Sequence, residues 1–435
     1  MVLICAAWAT GCGNTQGSNL PDDGFSNALT AGSTAAMVTP TDETVARPLA
    51  KPQGVMELKF NSGKGIDTGI AESAGSLYFG ADDTLIAVDE VSGQERWRLP
   101  TGAELQATPR ADSGTVYFAS NEFPSGEKNG YHVYAVDAAI GQEKWRFAAA
   151  SDVMTIEAAD GVVYAAGTQA LYALDAATGR QIWTQGHGAL FISTSDPSTL
   201  FVADMRLTGP NQNTTYIYAL GKADGQEKWE IQSGGAPSGL LAYGGVLYLA
   251  TFGEREGASS MELPPALFAL DAASGQQRWM FAPEGGGSGS PGGSQSMSIS
   301  RVDGARLYLF NEDMNLSSSL VPTGDRTLIE IDTATGQQIA GNRVAGGCQI
   351  QNLNEPAPTF LDGVFYIASA DLGAAANDSN SRITYSISAV AAASGGEQWQ
   401  VSAQADTRML LSYAGLFNGV FYLAARDSGE IFALH

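Results

Sequence analysis

The 435-residue chain is poor in the groups that most catalytic chemistry uses. Histidine occurs three times, at His132, His187 and His435, and no two have the spacing of a zinc site. Cysteine also occurs three times, at Cys5, Cys12 and Cys348, with no adjacent pair. Basic residues number 23 against 46 acidic ones, a net charge of −23. Such a field repels phosphate backbones, so no nucleic-acid partner is expected. No later run approaches the roughly 18 apolar residues of a membrane-spanning helix, and long helical periodicity is missing as well. The Gly-rich run Pro283 to Gln295 contains no Lys and leads into no helix, so it is not a phosphate-binding loop. Glycine itself is plentiful, at 52 residues, which suits a fold made of many tight turns.

The stretch Leu171 to Trp183 reads Leu-Tyr-Ala-Leu-Asp-Ala-Ala-Thr-Gly-Arg-Gln-Ile-Trp, and it recurs. Near-copies run Ile86 to Trp97, Val133 to Trp145, Ile217 to Trp229, Leu267 to Trp279 and Ile387 to Trp399. A worn copy begins at Leu328 and carries Ala340 in the Trp position. Six of the seven tryptophans stand four residues after a glycine of this unit. Successive unit glycines are 38 to 61 residues apart, the period of propeller blades. Between copies lies a short apolar strand centred on an aromatic, such as Val163-Tyr164-Ala165 or Leu247-Tyr248-Leu249.

Each unit thus reads as four short strands, A to D, with the aromatic in B, the Ala-Leu-Asp run in C and the Trp in D. One four-stranded sheet cannot bury both of its apolar faces, whereas radial stacking buries them and leaves only short edges. The expected fold is all-β: an eight-bladed β-propeller of four-stranded antiparallel blades, over 51–435. Gly54 to Phe60 matches a D strand with nothing before it, with Leu58 in the Trp position. Gly429 to His435 matches a C strand with nothing after it. The N-terminal strand is therefore expected to complete the C-terminal blade. Seven blades is the alternative, should the unit around Ala340 not form its own.

The repeat resembles the PQQ-like propeller family, named for the pyrroloquinoline-quinone dehydrogenases. The resemblance implies that Trp97, Trp145, Trp183, Trp229, Trp279 and Trp399 dock each blade on its neighbour. It implies that Asp89, Asp137, Asp175, Asp271 and Asp332 shape the turn between strands C and D. Gly221 and Ala391 replace that Asp, so weaker seams are expected there and at Ala340. The family's dehydrogenases carry an adjacent Cys-Cys disulfide beside a calcium-bound cofactor, and this chain has no such pair. No catalytic residue, cofactor or metal is expected. The oxygen-rich segment Asp371 to Asp378 lacks the spacing of a calcium loop.

The first residues resemble a bacterial lipoprotein signal, with Ala9-Thr10-Gly11-Cys12 as its lipobox. The resemblance implies a signal peptide over 1–12, removal of Cys5 with it, and lipidation of Cys12. Cys348 is then left without an intramolecular partner. No Lys or Arg precedes Arg47, so the basic part of such a signal is missing, and a start further upstream is expected. Residues 13–50, rich in Ser, Thr, Ala, Asn and Gly, read as a flexible tether. Gly13, rather than Asp, after the lipidated Cys implies outer-membrane sorting.

Lipobox and propeller together resemble the BamB lipoproteins, non-catalytic scaffolds of the outer-membrane β-barrel assembly machinery. The expected function is a non-enzymatic, lipid-anchored scaffold that binds a protein partner in the cell envelope and is itself a monomer. An envelope propeller binding polysaccharide or another protein is the alternative, and a quinoprotein enzyme ranks below both.

The strand order places the A–B and C–D connections on one face and the B–C and D–A connections on the other. All the long connections collect on the second: Asn121 to Tyr131, Met205 to Thr214, Phe252 to Pro264, Pro283 to Ser294, Glu312 to Asp325, Ala345 to Glu355 and Asp371 to Ser381. Irregular loops on a rigid scaffold are where binding residues usually sit. Phe123, Arg206, Arg255, Met314, Leu316 and Leu353 are the candidate anchors for a partner.

Overall fold

A computed structural model describes residues 51–52, 55–121, 130–209, 212–253, 265–283, 294–315, 323–344, 348–349, 359–371, 382–406, 411–425 and 428–434. These form eight antiparallel sheets and, among the described residues, no helix. Each sheet is one blade. Blade 3 is the simplest, with strands Thr155–Ala159, Val162–Ala166, Leu171–Asp175 and Gln181–Gln185 in that spatial order. The unit around Ala340 is a full blade, the sixth, running from Ser294 to Val344. The A strands of blades 1 to 7 touch in succession and line the axis of the ring, so the D strands form its rim.

The period-two alternation of a strand divides its side chains between two seams. In strand B of blade 3, Val163 and Ala165 enter the seam with blade 2, while Tyr164 and Ala166 enter the seam with blade 4. Both faces are buried, which is why these strands read as continuous apolar runs. The buried apolar residues fall into eight clusters, one for each seam. Most aromatics of the B strands, among them Tyr78, Tyr164, Tyr248 and Tyr366, are fully buried. Each such side chain contributes roughly 1.5–3 kcal/mol on burial.

The last blade takes A, B and C from Leu411–Phe417, Val420–Ala425 and Glu430–Leu434, and D from Met56–Asn61 at the other end of the chain. Closure by the two ends is therefore real, but its register differs from the sequence alignment by one residue. In blade 5 the docking Trp279 lies opposite Ala269. The counterpart of Ala269 in the last blade is Ala433, and it faces Glu57, not Leu58. Other D strands bulge just before the Trp. This one bulges after Leu58, so Leu58 turns outward and is half exposed. Phe60 faces the seam and meets Phe79 of blade 1 edge-to-face, with ring centroids 5.9 Å apart.

Candidate partner-binding face

Each of five tryptophans ties its blade to the next through a hydrogen bond. The Trp97 indole Nε1 donates to the carbonyl of Ala138 in blade 2, 3.0 Å away. Trp145, Trp183, Trp229 and Trp279 repeat this toward Ala176, Lys222, Ala272 and Thr333, at 2.8–3.1 Å. In each case the acceptor follows the turn Asp, or its replacement, of the next blade. The B-strand aromatic of the same blade packs beside the indole, 5.8 Å for Tyr78–Trp97 and 5.9 Å for Tyr164–Trp183. The blade after Trp399 takes its C and D strands from separate parts of the chain, and Trp399 packs between Tyr366 and Phe421. At the worn position Ala340, Asn342 of the same strand takes over, covering Gly395 of blade 7. Between blades 8 and 1, where no Trp exists, the Tyr422 hydroxyl donates to the Glu90 carbonyl at 3.2 Å.

The face bearing the A–B and C–D turns is low and built from local chemistry. Six of its A–B turns place two successive residues at positive φ, for example Asp160 (54°) and Gly161 (77°). That is the hairpin geometry matching strand twist. In the C–D turns the Asp carboxylate accepts from the residue three ahead. Asp271 Oδ1 takes both Ser274 N (3.0 Å) and its hydroxyl (2.8 Å), and Oδ2 pairs with Arg278 at 2.7 Å. Arg278 and these bonds hold the Asp271 carboxyl down to about 2. Where Gly221 replaces the Asp, the Asp224 carboxylate swings into the vacated space, and Trp183 still finds its carbonyl.

The opposite face is uneven. Blade 3 ends at a tight turn in which Gly167 N donates to the Ala170 carbonyl. In blade 4, strands B and C continue far past their neighbours, as Thr199–Gly209 and Gln212–Gly221. Strand A of that blade pairs only with Phe201–Ala203, so from Asp204 onward no strand lies at the inner edge among the described residues. Residues 205–209 and 212–214 are thus not the irregular loop expected from sequence but overhanging paired strands. Glu312 to Asp325 is similarly part strand, since blade 6 carries B to Asn315 and resumes C at Thr323. Within Ala345 to Glu355, Cys348–Gln349 pairs with Ala370 and Ser369.

The overhang of blade 4 gathers a cluster on its blade-3 side. Asp204 and Arg206 alternate on strand B, and Tyr216 and Tyr218 alternate on strand C, which brings all four to one face. The Arg206 guanidinium carbon lies 4.8 Å from the Tyr216 ring centroid and 5.6 Å from that of Tyr218. Its Nε donates to Asp204 Oδ2 at 2.8 Å, and its side chain is 42% exposed. His187, from the link between blades 3 and 4, stacks on Tyr218 with centroids 4.1 Å apart and planes within 6°. The Tyr218 hydroxyl and His187 Nδ1 are both buried without a hydrogen-bond partner. Burial pushes the Tyr218 phenol up to about 12, and burial, then the Arg206 charge, pushes the His187 imidazole below its ordinary value. A guanidinium held over phenol rings with Nε engaged still has its terminal N–H groups as the kind of donors that bind a carboxylate. Arg and Tyr are also the side chains that most often anchor protein interfaces.

Of the sequence candidates for the partner face, Arg206 stands on this overhang. Met314 lies in strand B of blade 6, where only its backbone is described. Phe123, Arg255, Leu316, Leu353 and Cys12 lie outside the described residues, as does most of Asp371 to Asp378. His187, Tyr216, Tyr218 and Asp204 were not singled out by the sequence reading. The signal available was the matched alternation Asp204/Arg206 and Tyr216/Tyr218 on either side of a short link. Among the described residues, no group of three or more His, Cys, Asp or Glu is placed to hold a metal ion.

The profile of the family described as outer membrane protein assembly factor BamB matches residues 32–171, 153–279, 213–317 and 269–434. The chain belongs to this family. Solved structures of the same shape include BamB from Moraxella catarrhalis, with a TM-score of 0.52 and 15% identity over 88% of this chain and 98% of that one. The computationally designed Ika8 protein gives a TM-score of 0.56 and 12% identity over 87% and 99%. The quinohemoprotein alcohol dehydrogenase of Comamonas testosteroni gives 0.51 and 13% over 87% and 76%. No curated protein matches by sequence. At such identities the likeness is one of fold, and BamB-type propellers share that fold with a redox enzyme and a designed protein.

Proposed function

We propose that this BamB-family propeller is a non-enzymatic envelope scaffold, anchored through lipid on Cys12 and tethered by residues 13–50. On this reading it binds a protein partner of the outer-membrane β-barrel assembly machinery through its B–C/D–A face. The observation that carries the reading is the blade 4 overhang, where the Arg206 guanidinium lies over two tyrosines with its side chain 42% exposed. Family membership supports the partner class. The reading assigns no catalytic residue and no cofactor. Phe123, Arg255, Met314, Leu316 and Leu353 belong to the same proposed surface.

Cross-linking on membranes followed by capture of the chain tests the whole reading. The barrel-inserting subunit should co-purify with the wild type and be lost from the Phe123→Ala, Arg206→Ala, Leu316→Ala triple variant, whose melting temperature should barely move. Retention on a polysaccharide resin without that subunit would favour the carbohydrate-binding alternative. Radioactive palmitate should label the wild type but not Cys12→Ser, and an unlabelled wild type would remove the anchor.

A further inference from the structure

The blade 4 cluster contains a titratable group that neither the fold nor the proposed binding role requires. His187 lies flat on Tyr218, 4.1 Å between centroids, with Nδ1 buried and unbonded. The charged and titratable groups around it come from three strands of blade 4. Strand B supplies Asp204 and Arg206, strand C supplies Tyr216 and Tyr218, and strand D supplies Glu227. Asp204 is nearly buried, and Arg206 already occupies it. The neutral imidazole fits this setting as an aromatic plate. An imidazolium fits less well: it would place a second cation near Arg206 in a largely desolvated site, which the Gly188 backbone, Asp204 and Glu227 offset only in part.

We infer that His187 is a proton-operated latch on the blade 4 overhang, which holds Arg206 in place when neutral and releases it when protonated. Two responses relieve the added charge. Asp204 transfers its pairing from Arg206 to the imidazolium, or the ring leaves Tyr218 for solvent. The first removes the ion pair that fixes Arg206, and the second removes the ring stacked on Tyr218, one of the two rings beneath Arg206, so the proposed partner surface loosens on acidification. The inference rests on the proposed role of that face only for its biological consequence, since the latch is a property of the isolated protein.

The direction follows from linkage. Burial and Arg206 lower the folded-state value of His187 below its ordinary one. The stability that the neutral ring supplies is therefore complete above the ordinary imidazole value near 6.5, and it is lost as pH falls toward the lower folded value.

Hydrogen exchange of 203–216 in the full-length protein, read by mass spectrometry between pH 7.5 and 5 and corrected for intrinsic rates, tests the latch. In the wild type, protection of this hairpin should fall by up to about tenfold per pH unit between the ordinary imidazole value near 6.5 and the lower folded-state value, and should level off below it. His187→Phe keeps a flat ring without a proton and should keep its protection across the range. A wild type and a His187→Phe variant with the same pH response would overturn the inference. So would a His187 ring whose NMR titration falls at or above the ordinary imidazole value. Neither readout involves the partner, so failure of the latch and failure of the scaffold reading are separable.

Discussion

The six-membered ring of Trp97 lies so close over Gly141 of the next blade that a Cβ there would stand 2.6 Å from Cδ2 and Cε3. The same relationship joins Trp145 to Gly179, Trp183 to Gly225 and Trp279 to Gly336. The Gly of the repeat thus answers two demands, a left-handed turn in its own blade and a floor for its neighbour's indole.

The two demands can be separated. Gly179 and Gly161 both have positive φ, 70° and 77°, but only Gly179 lies under an indole, and a Cβ on Gly161 would meet nothing within 4 Å. Alanine at either position costs about 1–2 kcal/mol for the left-handed backbone. Gly179→Ala must in addition displace Trp145, a further cost of about 1–3 kcal/mol. Thermal unfolding should rank wild type above Gly161→Ala and Gly161→Ala well above Gly179→Ala. Equal losses would mean that the indole contact contributes little.

The seam between blades 8 and 1 relies on Tyr422. Removing the Tyr78 hydroxyl leaves the Ala138 carbonyl still bonded by Trp97 Nε1, so Tyr78→Phe should cost about 0.5 kcal/mol. Tyr422→Phe removes the hydroxyl from a seam with no Trp and should cost about 1–3 kcal/mol. Denaturant midpoints of the two variants measure the difference, and the reverse order would contradict this account of the closure.

Ring closure also separates Phe60 from Leu58. Phe60→Ala removes a ring packed on Phe79 and should destabilise by about 2 kcal/mol. Leu58→Ala alters a half-exposed side chain and should stay within about 0.5 kcal/mol. A chain beginning at residue 51 should melt as the full protein does. One beginning at residue 63 lacks the outer strand of the last blade, exposes the edge of Glu430–Leu434 and should aggregate. Equal melting temperatures for the two truncations would rule out this closure.

Acid sensitivity should have a component from the C–D turns. The Asp271 carboxyl is held down to about 2 by Arg278 and by the Ser274 hydroxyl and amide, against 3.8 for the free group. A depressed carboxylate adds stability that is complete above the unfolded value and is lost as pH falls toward the folded one. Asp271→Asn should therefore flatten the melting temperature profile between about pH 4 and pH 2 relative to wild type. An unchanged slope in that window would show that the turn carboxylate is not linked to folding.

The sequence by itself determined the blade unit and the joining of the two chain ends, and it favoured eight blades over seven, a choice the separate sheet around Ala340 settles. Those features rest on local chemistry: an Asp three residues before its hydroxyl and amide donors, a Gly at positive φ, and alternating apolar strands with a Trp at fixed distance. Each is complete within about a dozen neighbouring residues, so it survives in a linear reading. Tertiary structure decided where the bulge falls in Met56–Asn61. Two alignments one residue apart satisfy the same pattern, and only packing against blade 1 selects the one that buries Phe60 and exposes Leu58. It likewise decided that 205–209 and 212–214 continue as paired strand, since pairing depends on the partner strand rather than on composition. The cluster of His187, Asp204, Arg206, Tyr216 and Tyr218 draws only Tyr218 from the repeat, because blade stacking brings a link between blades against a neighbouring pair of strands.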